Sequence, residues 1–219
     1  MFGRTRPKTV RRRLGTVVAL TAAAAMAGSL AATPALADDP VEIPVSYTVT
    51  GKTTVKKTGG TLDLGPGQLN GALVIDGDNV GIRGDLALPP STANISLVSG
   101  VFKIKARVRI QPTGPVTGTL ANGDLTTRSQ ANMLIDNIVV GLFYPVIPLP
   151  TVPNACKTVK PLDLTLVSKN VDLFAETIPS SGVFTIPEFK DCFINDLALG
   201  ALISGPGNTI NLNMKSNLS

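Results

Sequence analysis

The sequence predicts an all-β protein: a single-domain β-sandwich or β-barrel of short antiparallel strands, with at most one short helix and one disulfide. Three observations predict it. Apolar side chains recur with period two, and turn-forming Gly, Pro, Asn and Asp recur at short intervals. No window of a dozen residues carries apolar side chains at helical spacing without an intervening Gly or Pro.

The strand-rich part follows a leader of 37 residues. Arg4, Arg6, Lys8, Arg11, Arg12 and Arg13 form a basic start, an Ala-rich apolar run follows, and Ala35-Leu36-Ala37 has the small-residue pattern of a signal-peptide cleavage site. Removing 37 of 219 residues leaves residues 38–219 as the single predicted domain. All six of those cations leave with the leader and no acid does, so fourteen basic residues face fifteen acidic ones and the net charge is −1. The precursor pI near 9.4 therefore carries no implication of nucleic-acid binding. The paired arginines before Leu14 partly match a twin-arginine signal, but Val10 stands where a hydroxyl residue is usual, which favours the general secretory route. The expectation is a secreted protein, either released or held at the envelope only by non-covalent contact, and without a transmembrane anchor after cleavage.

Within the mature chain, Val41 to Val49 alternates cleanly with the odd positions apolar, and Pro44 confines that strand to an edge or a bulge. Breakers then recur at Gly51, Gly59-Gly60, Gly65-Pro66-Gly67, Asp76-Gly77-Asp78-Asn79, Pro89-Pro90, Gly114-Pro115, Asn122-Gly123 and Gly205-Pro206-Gly207. Read as turns, they leave strands of about 6–10 residues. Phe102, Ile104, Ala106, Val108 and Ile110 make one apolar face; Leu162, Leu164 and Leu166 another; Ile210, Leu212 and Met214 a third. Ile194–Ile203 is the one helix candidate, with Asn195 as its N-cap. Cys156 and Cys192 are the only cysteines, and in an oxidising compartment they are expected to pair.

Composition removes most catalytic chemistry. With no His, a Ser-His-Asp or Cys-His mechanism has no base, and imidazole cannot ligate zinc. With no Trp and two Tyr, a sugar-stacking platform is nearly absent. Carboxylates remain, three Glu and twelve Asp in the mature chain. The densest acidic set, Asp76, Asp78 and Asp85, is what a small hydrolase using paired carboxylates or a bound metal would draw on. Asp76 and Asp78 are also the weak candidate for a cation site, although a tight hairpin turn accounts for them equally well. No cofactor motif is present.

Two stretches suggest binding instead. Lys103, Lys105, Arg107 and Arg109 interleave with the apolar positions of their strand, putting four cations on one outward face. Such a ridge suits phosphate-rich envelope polymers or lipid headgroups; alternatively it is a solvated face balanced by acids on a neighbouring strand. The uncharged run from Ile138 to Pro150 begins as a buried strand, and from Leu142 to Val152 the chain reads as an extended, polyproline-like loop. Leu142, Phe143, Tyr144, Val146 and Ile147 would contact lipid or a partner protein if exposed, or cover the core if tied down by Cys156.

The stretches Gly84-Asp85-Leu86-Ala87-Leu88-Pro89-Pro90-Ser91, Gly114-Pro115-Val116-Thr117-Gly118-Thr119-Leu120, Thr185-Ile186-Pro187-Glu188-Phe189 and Ile203-Ser204-Gly205-Pro206-Gly207-Asn208-Thr209 resemble a family of exported actinobacterial proteins of unassigned function. The resemblance implies secretion and a β-rich fold with one disulfide, and it transfers no catalytic residue. The function expected from the residues is non-enzymatic binding at the cell envelope, of an apolar or anionic envelope lipid or polymer or of a protein. The hydrolase above is one alternative, and a structural surface protein that self-associates through strand edges is another. Oligomeric state and ligand stay open at this level.

Overall fold

The computed structural model describes residues 39–97, 102–142, 146–148, 156–173, 175–192 and 196–217. The proposed leader, Phe143, Tyr144 and the N-cap candidate Asn195 lie outside the described residues. In chain order the strands are β1 (Val41–Thr54), β2 (Thr61–Asp76), β3 (Asn79–Ala87), β4 (Ser91–Leu97), β5 (Phe102–Pro112), β6 (Val116–Ala121) and β7 (Asp124–Leu142). They continue with β8 (Val146–Pro148), β9 (Lys157–Thr158), β10 (Leu162–Ser168), β11 (Thr177–Ile186), β12 (Phe189–Lys190), helix α1 (Asp196–Ile203) and β13 (Gly205–Ser216). Every ladder is antiparallel, and the pairing runs in a circuit that returns from β13 to β1. The fold is a closed barrel, which removes most of the unpaired strand edge that a sandwich would leave.

The period-two pattern explains the inside of this barrel. Val45, Tyr47 and Val49 of β1 are buried, as are Leu162 and Leu166 of β10 and Ile210, Leu212 and Met214 of β13. Pro44 lies where β1 has β2 on one side only, since β13 joins β1 from Tyr47 onward. Tyr47, 1% exposed, has its phenol pKa pushed up by burial.

Several strands are far longer than the expected 6–10 residues: β1 has 14, β2 has 16 and β7 has 19. The reason lies in the breakers. Asn122-Gly123 is a true two-residue turn, with both residues at positive φ (52° and 82°), the geometry that suits the twist of a hairpin. Asp76 and Asn79 likewise flank a tight turn. Gly65-Pro66-Gly67, however, lies inside β2, where the ladder to β1 shifts register between Val49 and Gly51. Gly and Pro mark bulges as readily as turns, and a barrel needs bulges to bend its staves.

Pro89-Pro90 and Gly114-Pro115 are not reversals either. Along β2, β3 and β4 follow one another in the same direction, with Gln68 opposite Ala87 and Thr61 opposite Asn94. Along β7, β5 and β6 do the same, with Ala131 opposite Pro112 and Arg128 opposite Thr117. Each couple is a single interrupted stave. The barrel therefore has eight staves: β1, β2, β3/β4, β5/β6, β7, β10, β11 and β13.

Three short strands lie off the circuit. β8 folds back on β7, with Gly141 opposite Val146 and Val139 opposite Pro148, so Val146 to Pro148 form a strand rather than the expected polyproline-like loop. β9 bridges β7 and β12, and beside it Cys156 and Cys192 form the expected disulfide, with an S–S distance of 2.03 Å. Helix α1 occupies most of the stretch expected to be helical, and no helix among the described residues is long and apolar enough to cross a membrane. Ile203 of α1 is buried against the barrel interior. Lys57 Nζ donates to the carbonyls of Gly200 and Ala201, at 3.3 and 3.2 Å, capping the C-terminal end of the helix.

Candidate functional site

The two interrupted staves face each other, and where both are interrupted the wall opens. Ser91–Leu97 pairs with Phe102–Val108, and Val80–Gly84 pairs with Val116–Leu120. Between these runs lie residues 85–90 and 109–115, of which 85–87 pair with β2 and 109–112 with β7, but no ladder joins the two segments to each other. Pro89 and Pro90 on one lip and Pro112 and Pro115 on the other have no N–H to donate. Four missing donors in this short interval account for the unzipped ladder.

A groove of about 630 Å³ occupies this gap. Its floor is formed by Leu86, Leu88, Ile110 and Pro112, all half-buried. The same four residues line a void of about 60 Å³ inside the barrel. Outer groove and inner void are thus two sides of one apolar partition. A second void, of about 50 Å³, lies deeper, toward α1. Thr53 and Met133 line both voids and stand between them. Thr53 Oγ1 is engaged, donating to the carbonyl of Thr209 at 2.9 Å.

The rim of the groove is cationic. Arg109 pairs across β5 and β7 with Leu134, and Leu134 pairs with Lys157 of β9, so the three share one face in a single row. That places the Arg109 and Lys157 backbones about 10 Å apart. Both line the groove, with the buried Leu134 between them. The Arg109 guanidinium donates through Nε and Nη2 to Oδ2 of Asp136, at 3.0 and 2.7 Å. Asp136 itself is only 8% exposed, so this charge-assisted pair fixes the orientation of Arg109 at the rim.

The cationic ridge predicted on β5 is thereby divided. Arg109 is paired with an acid from β7, while Lys105 and Arg107 are exposed on the outer face, and the side chain of Lys103 is outside the description. Of the apolar run, Leu142 ends β7 and Val146 and Ile147 belong to β8. Asp76 and Asp78 sit at the β2–β3 hairpin, whereas Asp85 pairs with Asn70, six positions further along β2 and therefore about 20 Å away. Among the described residues no three His, Cys, Asp or Glu side chains come together as a metal-binding group.

Lys157, Asp136 and the Leu86/Leu88 pair were not singled out by the sequence. The signal that pointed to them was the pair of proline clusters, which mark where a ladder has to stop. Among the described residues Asp124, in the β6–β7 hairpin, has its carboxyl pKa lowered by the Lys169 ammonium and by the Asn170 backbone N–H.

No family model matches the chain, and no curated protein matches it. A solved structure to which it is similar is that of DynF from the dynemicin biosynthesis pathway of Micromonospora chersina, at 12% identity over 84% of this chain and 83% of that one. The TM-score is 0.35, and the fold described above rests on the strand pairing alone.

Proposed function

We propose that this protein is an exported, non-enzymatic barrel that binds an anionic, partly apolar component of the cell envelope at the groove in its wall. The observation that carries the reading is the pairing of a cationic rim, Arg109 and Lys157, with a half-buried apolar floor. A groove of this size lies within the range of small-ligand sites, and an apolar surface with a few placed polar groups is their usual make-up. Lys105 and Arg107 on the same stave extend the positive field outward, where it would steer anionic surfaces toward the groove. The leader and the disulfide support an extracellular setting.

The test is sedimentation of the mature chain with vesicles of phosphatidylglycerol or of phosphatidylcholine. Binding is expected for the first only, to weaken as salt rises, and to drop by about tenfold in the double variant Arg107→Glu, Lys157→Glu. Equal binding to both vesicles, or an unaltered affinity in the variant, would reject the reading.

A further inference from the structure

Resting on that reading of the groove, we infer that the ligand is a single-chain anionic amphiphile, a straight alkyl chain ending in a carboxylate or phosphate, whose tail passes through the interrupted ladder into the barrel. The adjacency of the two spaces carries the inference. Leu86, Leu88, Ile110 and Pro112 line the outer groove and the inner void alike, so they form a partition one side chain thick. Backbone pairing is already absent between the lips, and side chains alone close the gap. Moving them breaks no ladder hydrogen bond. A hydrocarbon passing there meets Pro90 and Pro112 and buries no donor of theirs.

The dimensions select the tail. The void behind the partition is about 60 Å³, well under the ~150 Å³ that holds one benzene ring in an engineered cavity. Rings, branched chains and paired acyl chains are excluded, and a single methylene file is what fits. The interior is lined by Val, Leu, Ile, Phe and Met, with Thr53, Thr127 and Ser129 as its hydroxyl residues, so it selects against a polar tail. Met133 stands where the first void meets the second. Its unbranched thioether is the most adaptable side chain on that boundary, and its swing would set how deep the tail goes. The head stays at the rim, where Lys157 and the Asp136-oriented Arg109 supply N–H donors to an oxyanion.

The experiment is isothermal titration of the mature chain with butanoate, octanoate, dodecanoate, dodecyl phosphate and dodecanol. Affinity is expected to rise by about fourfold for each methylene enclosed, and to level off once the interior is full. Dodecanol should bind at least about tenfold more weakly than dodecanoate. The ratio of dodecanoate to dodecyl phosphate identifies which head the rim prefers. Leu88→Asp should abolish the chain-length dependence, and Met133→Ala should move the plateau to longer chains. The series on the unaltered protein reads out whether or not either variant folds. Equal affinity for butanoate and dodecanoate, or no binding of any of the five, overturns tail uptake. If phosphatidylglycerol vesicles still bind in a Lys157-dependent way, the headgroup reading survives that result. If they do not, both fall together.

Discussion

Two seams of this barrel carry nearly the same amount of pairing and behave differently. Between β1 and β2 thirteen residue pairs run from Val41–Ile75 to Thr54–Thr61, broken only by a bulge. Between the β3/β4 and β5/β6 staves five pairs lie at one end and seven at the other, with nothing bridging the middle. Both seams contain proline. In the first, Pro66 sits within the bulge and Pro44 where only one neighbour is present, so neither costs a ladder bond on a shared edge. In the second, prolines stand on both lips of the same interval and the ladder opens. A β-barrel thus absorbs a proline at a bulge, but two opposed clusters make an aperture.

Four perturbations would break or sharpen that contrast. The largest effect belongs to the disulfide beside the aperture. Cys156→Ser with Cys192→Ser should destabilise the chain by about 4 kcal/mol in denaturant titration, from the entropy of a loop of that length. Hydrogen exchange should then quicken first in β9 and β12, and later in the β1–β2 seam. Next comes a volume test of the two seams. A Cβ at Gly65 of β2 would lie 2.2 Å from the Val49 carbonyl oxygen of β1, whereas one at Gly114 meets nothing within 4 Å. Gly65→Val is expected to cost about 3 kcal/mol or more by thermal melting, and Gly114→Val less than about 0.5 kcal/mol. If the two melt alike, the rigid and open seams are not what they are described to be.

Asp136→Asn should cost about 2 kcal/mol, by removing the charged acceptor of Arg109. The smallest effect concerns acid. Because Lys169 and the Asn170 amide hold the Asp124 carboxyl below its ordinary value, that contact stabilises the fold above the unfolded carboxylate range. Its contribution is lost as pH falls through the lowered folded value. In Lys169→Ala the Asp124 midpoint should move up toward the ordinary carboxylate range, as read from a carboxyl-carbon NMR titration.

The alternation that makes these strands is plain in Val45, Tyr47 and Val49 or Ile210, Leu212 and Met214, which is why an all-β chain with one disulfide could be read directly. Closure could not. It depends on Tyr47 meeting Ser216, a contact between residues far apart in the chain that no local pattern announces. Strand length was misjudged for a related reason: Gly65-Pro66-Gly67 reads as a turn until the register on either side shows the chain continuing. That an acid on a neighbouring strand would answer the β5 cations was foreseeable as a type, but Asp136 as the residue required the register of β5 on β7. The aperture is the most hidden feature, because it needs two proline clusters some twenty-five positions apart to fall opposite one another.

The place of β13 between β1 and β11 has a consequence for how the molecule is made. A nascent chain emerges with β1 first, yet the stave that seals β1 on its open flank is produced after every other one. Until then β1 and β11 both present bare edges. Contacts this distant in sequence are slow to form, so folding waits on the twelve residues of β13. A chain cut short before Gly205 would keep two adhesive borders and should clump rather than settle into a smaller barrel.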